Sequence, residues 1–522
     1  MLRFISVIAS TLLVSTSFVF AAKTMEKKVP VYEIHSVAGS KLMSNMKSHM
    51  STHTNVIITT KSVDAANKLD INATHRYKHI PSVAATLSKS QIDQLVKNPD
   101  VVRVEYDEPV KVHETKLANY YYGTENARAD YGVDGKGVTI AVIDTGIDAS
   151  HVDLKGKVIG WNDLVNHKPT PYDDHGHGTH VSSIAAGMGV GNPDYKGVAP
   201  GASLVGVKVL DSQGSGSTST IMDGIDWVIA NKDKYNIRVM NMSLGSVGSS
   251  DGTDADSMAV NKAFEAGIVP AIAAGNSGPS TKTIGAPAAA TNSLAVGAMA
   301  DPSQGGFDLA YFSSRGTTAD GRIKPDIMAP GWKITAAKAN SGNGYITYSG
   351  TSMATPFVAG TAALMIEANP KITPAEVAAD MESTATDWGP IGKDVDYGAG
   401  NLNGYKAIKL AGGFTGGNGG PILPRHSYTE GNISTVFGKK EYTYSLKAGE
   451  TIAVSMIINP FNYIPDFDLY LVDPSGKMVG FSASALKRQE TISYTSTSSG
   501  DYTVKVQSYI GTGSFFFDTS IG

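Results

Sequence analysis

The chain has 522 residues, more than one hydrophobic core usually organises, so several folding units are expected. It is 41% hydrophobic and 18% charged with a formal charge of −4, which excludes a disordered chain and leaves no electrostatic call for nucleic acid or an anionic membrane. There is no cysteine, so disulfides and thiol catalysis are excluded and stability must come from core size, packing and bound ions.

Arg3 precedes an apolar run from Phe4 to Phe20, broken by Ser10, Thr11, Ser15, Thr16 and Ser17 and closed by Ala21 and Ala22. This layout predicts a signal peptide over 1–22, with a retained anchor as the alternative, and hence a secreted, extracellular protein without a stable span after processing. Residues 23–115 read as a small α/β unit, with strands at Val29 to Ile34 and Val56 to Thr60. Ser88 with Gln91 forms a capping-box pattern for a helix whose apolar face is Ile92, Leu95 and Val96, stopped by Asn98-Pro99. Val102, Val104 and Tyr106 alternate as a strand after it.

Over 116–411, short apolar runs alternate with helical patterns, which predicts a parallel sheet with helices on both faces. The strand candidates are Val138 to Ile143, Leu204 to Leu210, Val239 to Met242, Ile268 to Ala273 and Leu294 to Ala298, each bounded by turn-forming residues. Ile221, Met222, Ile225, Val228 and Ile229 recur at helical spacing, as do Val358, Ala362, Leu364 and Met365. Residues 412–426 are rich in Gly and Pro and read as a linker. Residues 427–522 read as all-β, a sandwich, from the alternation at Ile452, Val454, Met456 and Ile458 and at Tyr502, Val504 and Val506.

Three segments of the middle unit place polar side chains where strands end or helices begin. Asp144 closes the run Val138 to Ile143, at the sheet edge where α/β folds hold their sites, although an Asp before Thr145-Gly146 is also an ordinary turn residue. Asp173-Asp-His-Gly-His177-Gly-Thr-His180 carries three histidines. They suit either a metal site or a general base whose second ring nitrogen is held by Asp144. Ser352, in Ser349-Gly-Thr-Ser352-Met-Ala-Thr-Pro356, precedes a long helical pattern, because Pro356 is tolerated only near a helix start. There it is either a helix cap or a nucleophile whose own N–H steadies an oxyanion. Asn276, just beyond a buried strand, is a turn residue or a second oxyanion donor.

Asp144-Thr-Gly-Ile-Asp148, His177-Gly-Thr-His-Val181, Ala273-Ala-Gly-Asn-Ser-Gly278 and Gly350-Thr-Ser-Met-Ala-Thr-Pro356 together resemble, in order, the signature blocks of subtilisin-like serine proteases. The resemblance implies a secreted endopeptidase of broad specificity and subtilisin-like fold with Asp144, His177 and Ser352 as catalytic triad and Asn276 with Ser352 as oxyanion hole. It implies that residues 23–115 are an inhibitory propeptide, an intramolecular inhibitor removed by autocleavage near His113 to Leu117. It also implies that Ser243, Leu244, Gly245, Ala273, Ala274 and Gly275 flank a substrate pocket floored by Gly285. Gly214, Ser215 and Gly216 would form the opposite strand edge, to which a peptide substrate adds as a strand. No acid is visible in these walls, which predicts a preference for large apolar or neutral side chains.

No cofactor is expected for catalysis, the partners are protein and peptide substrates, and the enzyme is expected to be a monomer. Structural calcium is expected at Asp153, by resemblance, or at Asp466 and Asp468 in the C-terminal unit, whose acids otherwise solvate strand ends and turns. Ser182-Ser183 and Ser246 depart from the family's common Ala-Gly and Gly, and Gly187 to Lys196 does not match its Asn-rich calcium loop. The competing functions are a catalytically silent binding protein on a protease scaffold and a metal-dependent hydrolase centred on the three histidines.

Overall fold

The computed structural model describes residues 53–76, 82–106, 115–459, 465–484 and 487–522. The signal segment, the expected strand at Val29 to Ile34, and His113 with Glu114 of the expected cleavage segment lie outside the described residues.

The chain divides into two compact units, Met1–Pro109 and Val110–Gly522. The first contains an antiparallel sheet in the order Ala73–Arg76, Ser82–Leu87, Thr54–Thr60, Val101–Tyr106, with helices Val63–Lys68 and Lys89–Leu95. Ser88 caps the second helix as its sequence suggests: its hydroxyl accepts from the Gln91 N–H while Gln91 Oε1 accepts from the Ser88 N–H at 2.9 Å. Val56, Ile58, Val83, Leu87, Ile92 and Val104 form the unit's own core.

The second unit is built on a seven-stranded sheet. Its order is Ile327–Pro330, Leu294–Met299, Val269–Ala273, Ile237–Met242, Thr139–Asp144, Ser203–Lys208, Val158–Asp163, and every pair is parallel. The strand Thr139–Asp144 is buried at every residue, so alternate side chains feed two cores. Ile140 and Val142 pack with Val181, Ile184, Phe357 and Val358, from helices His177–Ala186 and Thr351–Ala368. Ala141 and Ile143 pack with Ile225, Val228, Val260 and Ala263, from helices Thr218–Ala230 and Ala255–Glu265. Burying each such Val, Ile or Leu contributes roughly 1.5–3 kcal/mol, so both faces press the sheet toward one register. The helices carrying His177 and Ser352 therefore share one face, and Asp144 ends the strand beneath them. This strand is also where the chain's progress across the sheet reverses, which opens a crevice at the strands' carboxyl ends.

Residues 412–424 contain no helix or strand but are held down. Phe414 stacks on Tyr131 at 4.4 Å, and the Asn418 backbone and side-chain N–H groups donate to the Asp130 carboxylate at 2.7 and 2.8 Å. From Arg425 onward the chain forms two antiparallel four-stranded sheets. One runs Arg425–Ile433, Gly513–Ile521, Thr451–Ile458, Gln489–Thr495 and the other Lys439–Leu446, Gly500–Ile510, Asp466–Val472, Met478–Ser482. Val454, Met456, Phe515 and Phe517 meet Leu469, Leu471, Val504 and Val506 between the sheets. Ile457 and Phe516, on the opposite face of the first sheet, belong instead to the core of the α/β part. The strands Thr451–Ile458 and Gly513–Ile521 of that sheet are thus buried on both sides, and the sandwich is packed onto the α/β part through them.

Candidate active site

Asp144 is fully buried at the carboxyl end of its strand, and its Oδ1 lies 2.8 Å from His177 Nδ1. The same oxygen accepts from the Thr145 N–H at 2.7 Å, which fixes the carboxylate's orientation. His177 is the first residue of helix His177–Ala186 and keeps 21% of its side chain exposed. Burial pulls its pKa down, but the charge and hydrogen bond of Asp144, with the charge of Asp173 behind them, outweigh burial and hold it above the ordinary histidine value.

The loop that delivers His177 is organised by Asp173, which is buried. Its Oδ1 accepts from the Thr145 hydroxyl and the His175 and Gly176 N–H groups at 3.0, 3.1 and 2.7 Å, and its Oδ2 from the Thr179 N–H and hydroxyl at 2.9 and 2.6 Å. Gly178 permits the close approach, since a Cβ there would sit 2.1 Å from the Gly146 carbonyl oxygen. Lys208, completely buried in the neighbouring strand, donates to the Thr145 and Leu210 carbonyls and to Asp174 at 2.6, 2.7 and 2.7 Å. Sequence reasoning assigned no role to Asp173 or Lys208. The available signal was the single cation within the apolar run Leu204 to Leu210, which a buried strand tolerates only if the ammonium is satisfied.

Ser352 is the second residue of helix Thr351–Ala368, so its N–H has no intrahelical acceptor. Pro356, inside the first turns, has no N–H to offer the Ser352 carbonyl four residues back. That carbonyl accepts instead from the Ser243 hydroxyl at 2.8 Å, and the Ser352 hydroxyl donates to the Ser243 carbonyl at 3.1 Å rather than to His177. Ser243 is in turn held by the Asn241 amide at 3.1 Å. Asn276 is exposed, and its Oδ1 accepts from the Thr351 N–H and hydroxyl at 2.9 and 3.0 Å, so the side-chain NH₂ is turned the other way. A Cβ placed on Gly350 would lie 3.6 Å from both Asn276 Nδ2 and Ser352 N. The Asn276 amide nitrogen and the Ser352 N–H therefore lie equally near one point beside the helix start. Thr351, which sets the Asn276 amide, was not singled out from the sequence, although it adjoins Ser352.

His177, Thr145, His175, Leu210, Gln213, Ile221, Gly214 to Gly216 and Ser243 to Gly245 line a single cavity. No carboxylate is among them. Two of the sequence-expected walls are thus brought together beside His177. Ala273, Ala274, Gly275 and Gly285 are not part of that lining: Ala273 and Ala274 are buried, the Gly275 N–H donates to the Thr351 hydroxyl at 3.3 Å, and Gly285 lies against the Ser246 carbonyl. Ser246 itself ties these strands, accepting from the Ala286 N–H at 3.1 Å and donating to the Ala286 carbonyl at 3.2 Å.

The sequence model of the subtilase family matches residues 135–400. The chain belongs to the subtilase family and is a serine endopeptidase of the subtilisin type. This subtilase also matches the peptidase inhibitor I9 family over residues 24–113 and the bacterial pre-peptidase C-terminal domain over 441–508. It is 40% identical over 359 residues to serine protease AprX of Bacillus subtilis (strain 168), covering 64% of this chain and 80% of that one. It is 38% identical over 387 residues to subtilisin E of the same organism, covering 71% and 94%. Among solved structures it resembles sphericase, with 33% identity, a TM-score of 0.46, and coverage of 53% of this chain and 96% of that one.

Calcium is common in subtilases, and at Asp153, the position expected to hold it, one carboxylate oxygen accepts from the Tyr345 hydroxyl at 2.8 Å and the other from the Gly191 N–H at 2.9 Å, which leaves each a lone pair. Asp468 receives the Tyr470 hydroxyl at 2.9 Å and shares its strand face with Asp466, and among the described residues no three acids or histidines converge as a metal site. The three histidines do not converge either. His180 is buried, burial lowers its pKa to about 3, and its Nε2 is 3.0 Å from the Ile346 carbonyl, so it serves packing as a neutral ring. Of the departures from the family pattern, Ser183 receives the Ala337 N–H at 3.3 Å and Ser182 is fully buried in the helix. Neither touches the site.

Proposed function

We propose that Asp144, His177 and Ser352 are the catalytic triad of a secreted endopeptidase of broad specificity. The 2.8 Å contact between His177 Nδ1 and Asp144, which leaves Nε2 as the proton-accepting nitrogen, carries this reading. The reaction requires the Ser352 hydroxyl to turn from the Ser243 carbonyl toward His177. As Oγ attacks the scissile carbonyl carbon, its proton passes to Nε2 and the carbonyl π electrons move onto oxygen, held by the Ser352 N–H and the Asn276 amide. His177 returns the proton to the leaving amine, and water, activated the same way, frees the acyl group. Substrate adds as a strand to the segment Gly214 to Gly216, of which Ser215 and Gly216 are exposed, so main-chain hydrogen bonds dominate binding and sequence selectivity is broad. The acid-free cavity favours apolar or neutral side chains.

Residues 24–113 act as inhibitor until autocleavage near His113 to Leu117, at the approach to helix Thr115–Tyr121. The signal-like first 22 residues support export, and no helix among the described residues is long and apolar enough to cross a membrane. Treating the purified active protein with a peptidyl phosphonate and measuring intact mass and peptide fragments tests the whole reading. One adduct on Ser352 and a new N-terminus near residues 113–117 are expected. An adduct elsewhere, or activity that resists the phosphonate, overturns it.

A further inference from the structure

The C-terminal sandwich reaches the loop that follows Asn276 and the Arg315 behind it through two adjacent residues, Arg488 just before strand Gln489–Thr495 and Gln489 at its start. Arg488 is buried, and its guanidinium holds both Asp396 carboxylate oxygens at 2.5 and 2.8 Å and donates to the Pro279 carbonyl at 3.3 Å. Gln489, also buried, accepts from Arg315 Nη2 at 2.7 Å and donates to the Leu309 carbonyl at 2.6 Å. Arg315 has no exposed surface, and its other side-chain acceptors are the carbonyls of Ala310 at 3.2 Å and Asp396 at 3.4 Å. Gln489 thus supplies the shortest hydrogen bond of a fully buried cation, and an arginine robbed of such an acceptor is driven to move.

What Arg315 moves with is the segment that frames Asn276. The Ser314 N–H donates to the Gly275 carbonyl at 2.9 Å, and the Ser277 N–H donates to the Ser314 hydroxyl at 3.1 Å, so Asn276 is bracketed on both sides by Ser314. The Gly278 N–H donates to Phe312 at 2.8 Å, the Thr283 N–H to Arg315 at 2.9 Å, and the Arg315 N–H to the Thr283 hydroxyl at 2.9 Å. Pro279, which Arg488 grips, is three residues beyond Asn276.

We propose that the sandwich is a working part of the active site, with Arg488 and Gln489 as positioning residues that hold the 275–283 loop so that the Asn276 amide meets the oxyanion. The proposal rests on reading Asn276 as an oxyanion donor. The sandwich then stays attached in the active enzyme, and its loss is a loss of turnover before it is a loss of substrate binding.

The test uses full-length mature enzyme, standardised by titrating active sites with a fluorophosphonate, so that unfolded or autolysed protein does not count. Gln489→Ala and Arg488→Ala are expected to lower kcat on a peptide p-nitroanilide by roughly tenfold to a hundredfold with KM little changed. They should weaken a peptide aldehyde, which mimics the tetrahedral oxyanion, by the same factor. In an Asn276→Ala background, Gln489→Ala should cost nothing further in kcat. If Asn276→Ala itself leaves kcat intact, the oxyanion reading fails. If Asn276→Ala lowers kcat but Gln489→Ala only lowers the melting temperature, or its effects multiply with those of Asn276→Ala, the positioning role fails. Arg488→Lys keeps the charge beside Asp396 but cannot span both its oxygens and Pro279. It should show the same split between kcat and KM in smaller measure if the Ala variants do not accumulate, and an unchanged kcat there also overturns the proposal.

Discussion

The centre of the parallel sheet and the junction between sheet and sandwich solve the same problem, fixing one part against another, with opposite chemistry. Under the strand Thr139–Asp144 the core is dominated by Ile140, Val142, Val181, Phe357 and their apolar neighbours, and the buried charges Asp144 and Lys208 lie where the strands end. At the junction, Ile457 and Phe516 contribute an apolar patch, but Arg315, Asp396, Arg488 and Gln489 are buried beside them. Asp518 is there too, pairing with His426, whose ring stacks on Trp388 at 3.9 Å. Apolar burial is non-directional and tolerates sliding, whereas a buried ion pair is satisfied in one arrangement only. The sheet supplies the stability, and the junction fixes where the sandwich, and the loop it grips, must sit.

The largest effects should come from the site itself. Ser352→Ala is expected to lower kcat by about 10⁶-fold and leave the melting temperature nearly unchanged, because the hydroxyl is not part of the apolar core. A folded Ser352→Ala protein with wild-type turnover on casein would reduce the constellation to a helix start. Asp144→Asn should cost about 10⁴-fold through the wrong imidazole tautomer. The base must be neutral to work, so kcat/KM rises with pH through the His177 pKa, which Asp144 keeps above the ordinary value. Removing that charge should shift the acid limb of the pH profile to lower pH, and an unmoved limb would show that another group titrates.

The junction is sharpened by asking whether its ions can be replaced. Asp396→Ala leaves Arg488 buried without its carboxylate and is expected to cost about 3–5 kcal/mol, seen as a lower denaturation midpoint. The double replacement Asp396→Leu with Arg488→Met should restore part of that stability, since the desolvation cost of this pair goes with its charges while buried Arg315, whose Nε lies 3.9 Å from Asp396, still loses a counter-ion. Restored stability without restored turnover would separate holding the sandwich on from aiming Asn276. Restoration of both would make the ion pair dispensable.

The two regions also differ in how far the amino-acid sequence reveals them. Five central strands and the helix bearing Ser352 were legible because each is a continuous apolar or periodic run, and the strands ending at Asp144 and just before Asn276 lead into signature blocks. Each observed strand falls within a few residues of its expected bounds, as Thr139–Asp144 does against Val138 to Ile143. The strands Val158–Asp163 and Ile327–Pro330 went unread. The first is a sheet-edge strand carrying Trp161, Asn162 and Asp163, and the second has four residues and ends in proline, so neither shows a buried strand's pattern. The paired strands Ile334–Ala337 and Tyr345–Tyr348 and the strands Arg425–Ile433 and Gln489–Thr495 also went unread, because the first two have only four residues each and the last two are mostly polar. Asn276 was legible as a motif, but its supports were not. Arg315 and Gln489 stand 174 positions apart, and nothing local in either segment marks an arginine whose acceptor lies in another sheet.

The smallest effect expected at the junction concerns Asp308, which receives the Ser455 hydroxyl of the sandwich at 3.1 Å. Burial pushes its pKa up to about 7, and the Ser455 bond only partly opposes that. An acid whose pKa is raised on folding favours the folded state while protonated. Its contribution is full below about pH 4, where the unfolded chain also holds the proton, and is lost as pH rises through about 7. Asp308→Asn keeps a neutral side chain at every pH and should therefore match the parent near pH 4 and melt at higher temperature than the parent at pH 8. The comparison belongs in a Ser352→Ala background, where autolysis does not distort the melts. A gap between the two proteins that stays constant from pH 4 to pH 8 would mean that Asp308 is ionised in the folded junction, and that the Ser455 contact, not the proton, sets its place.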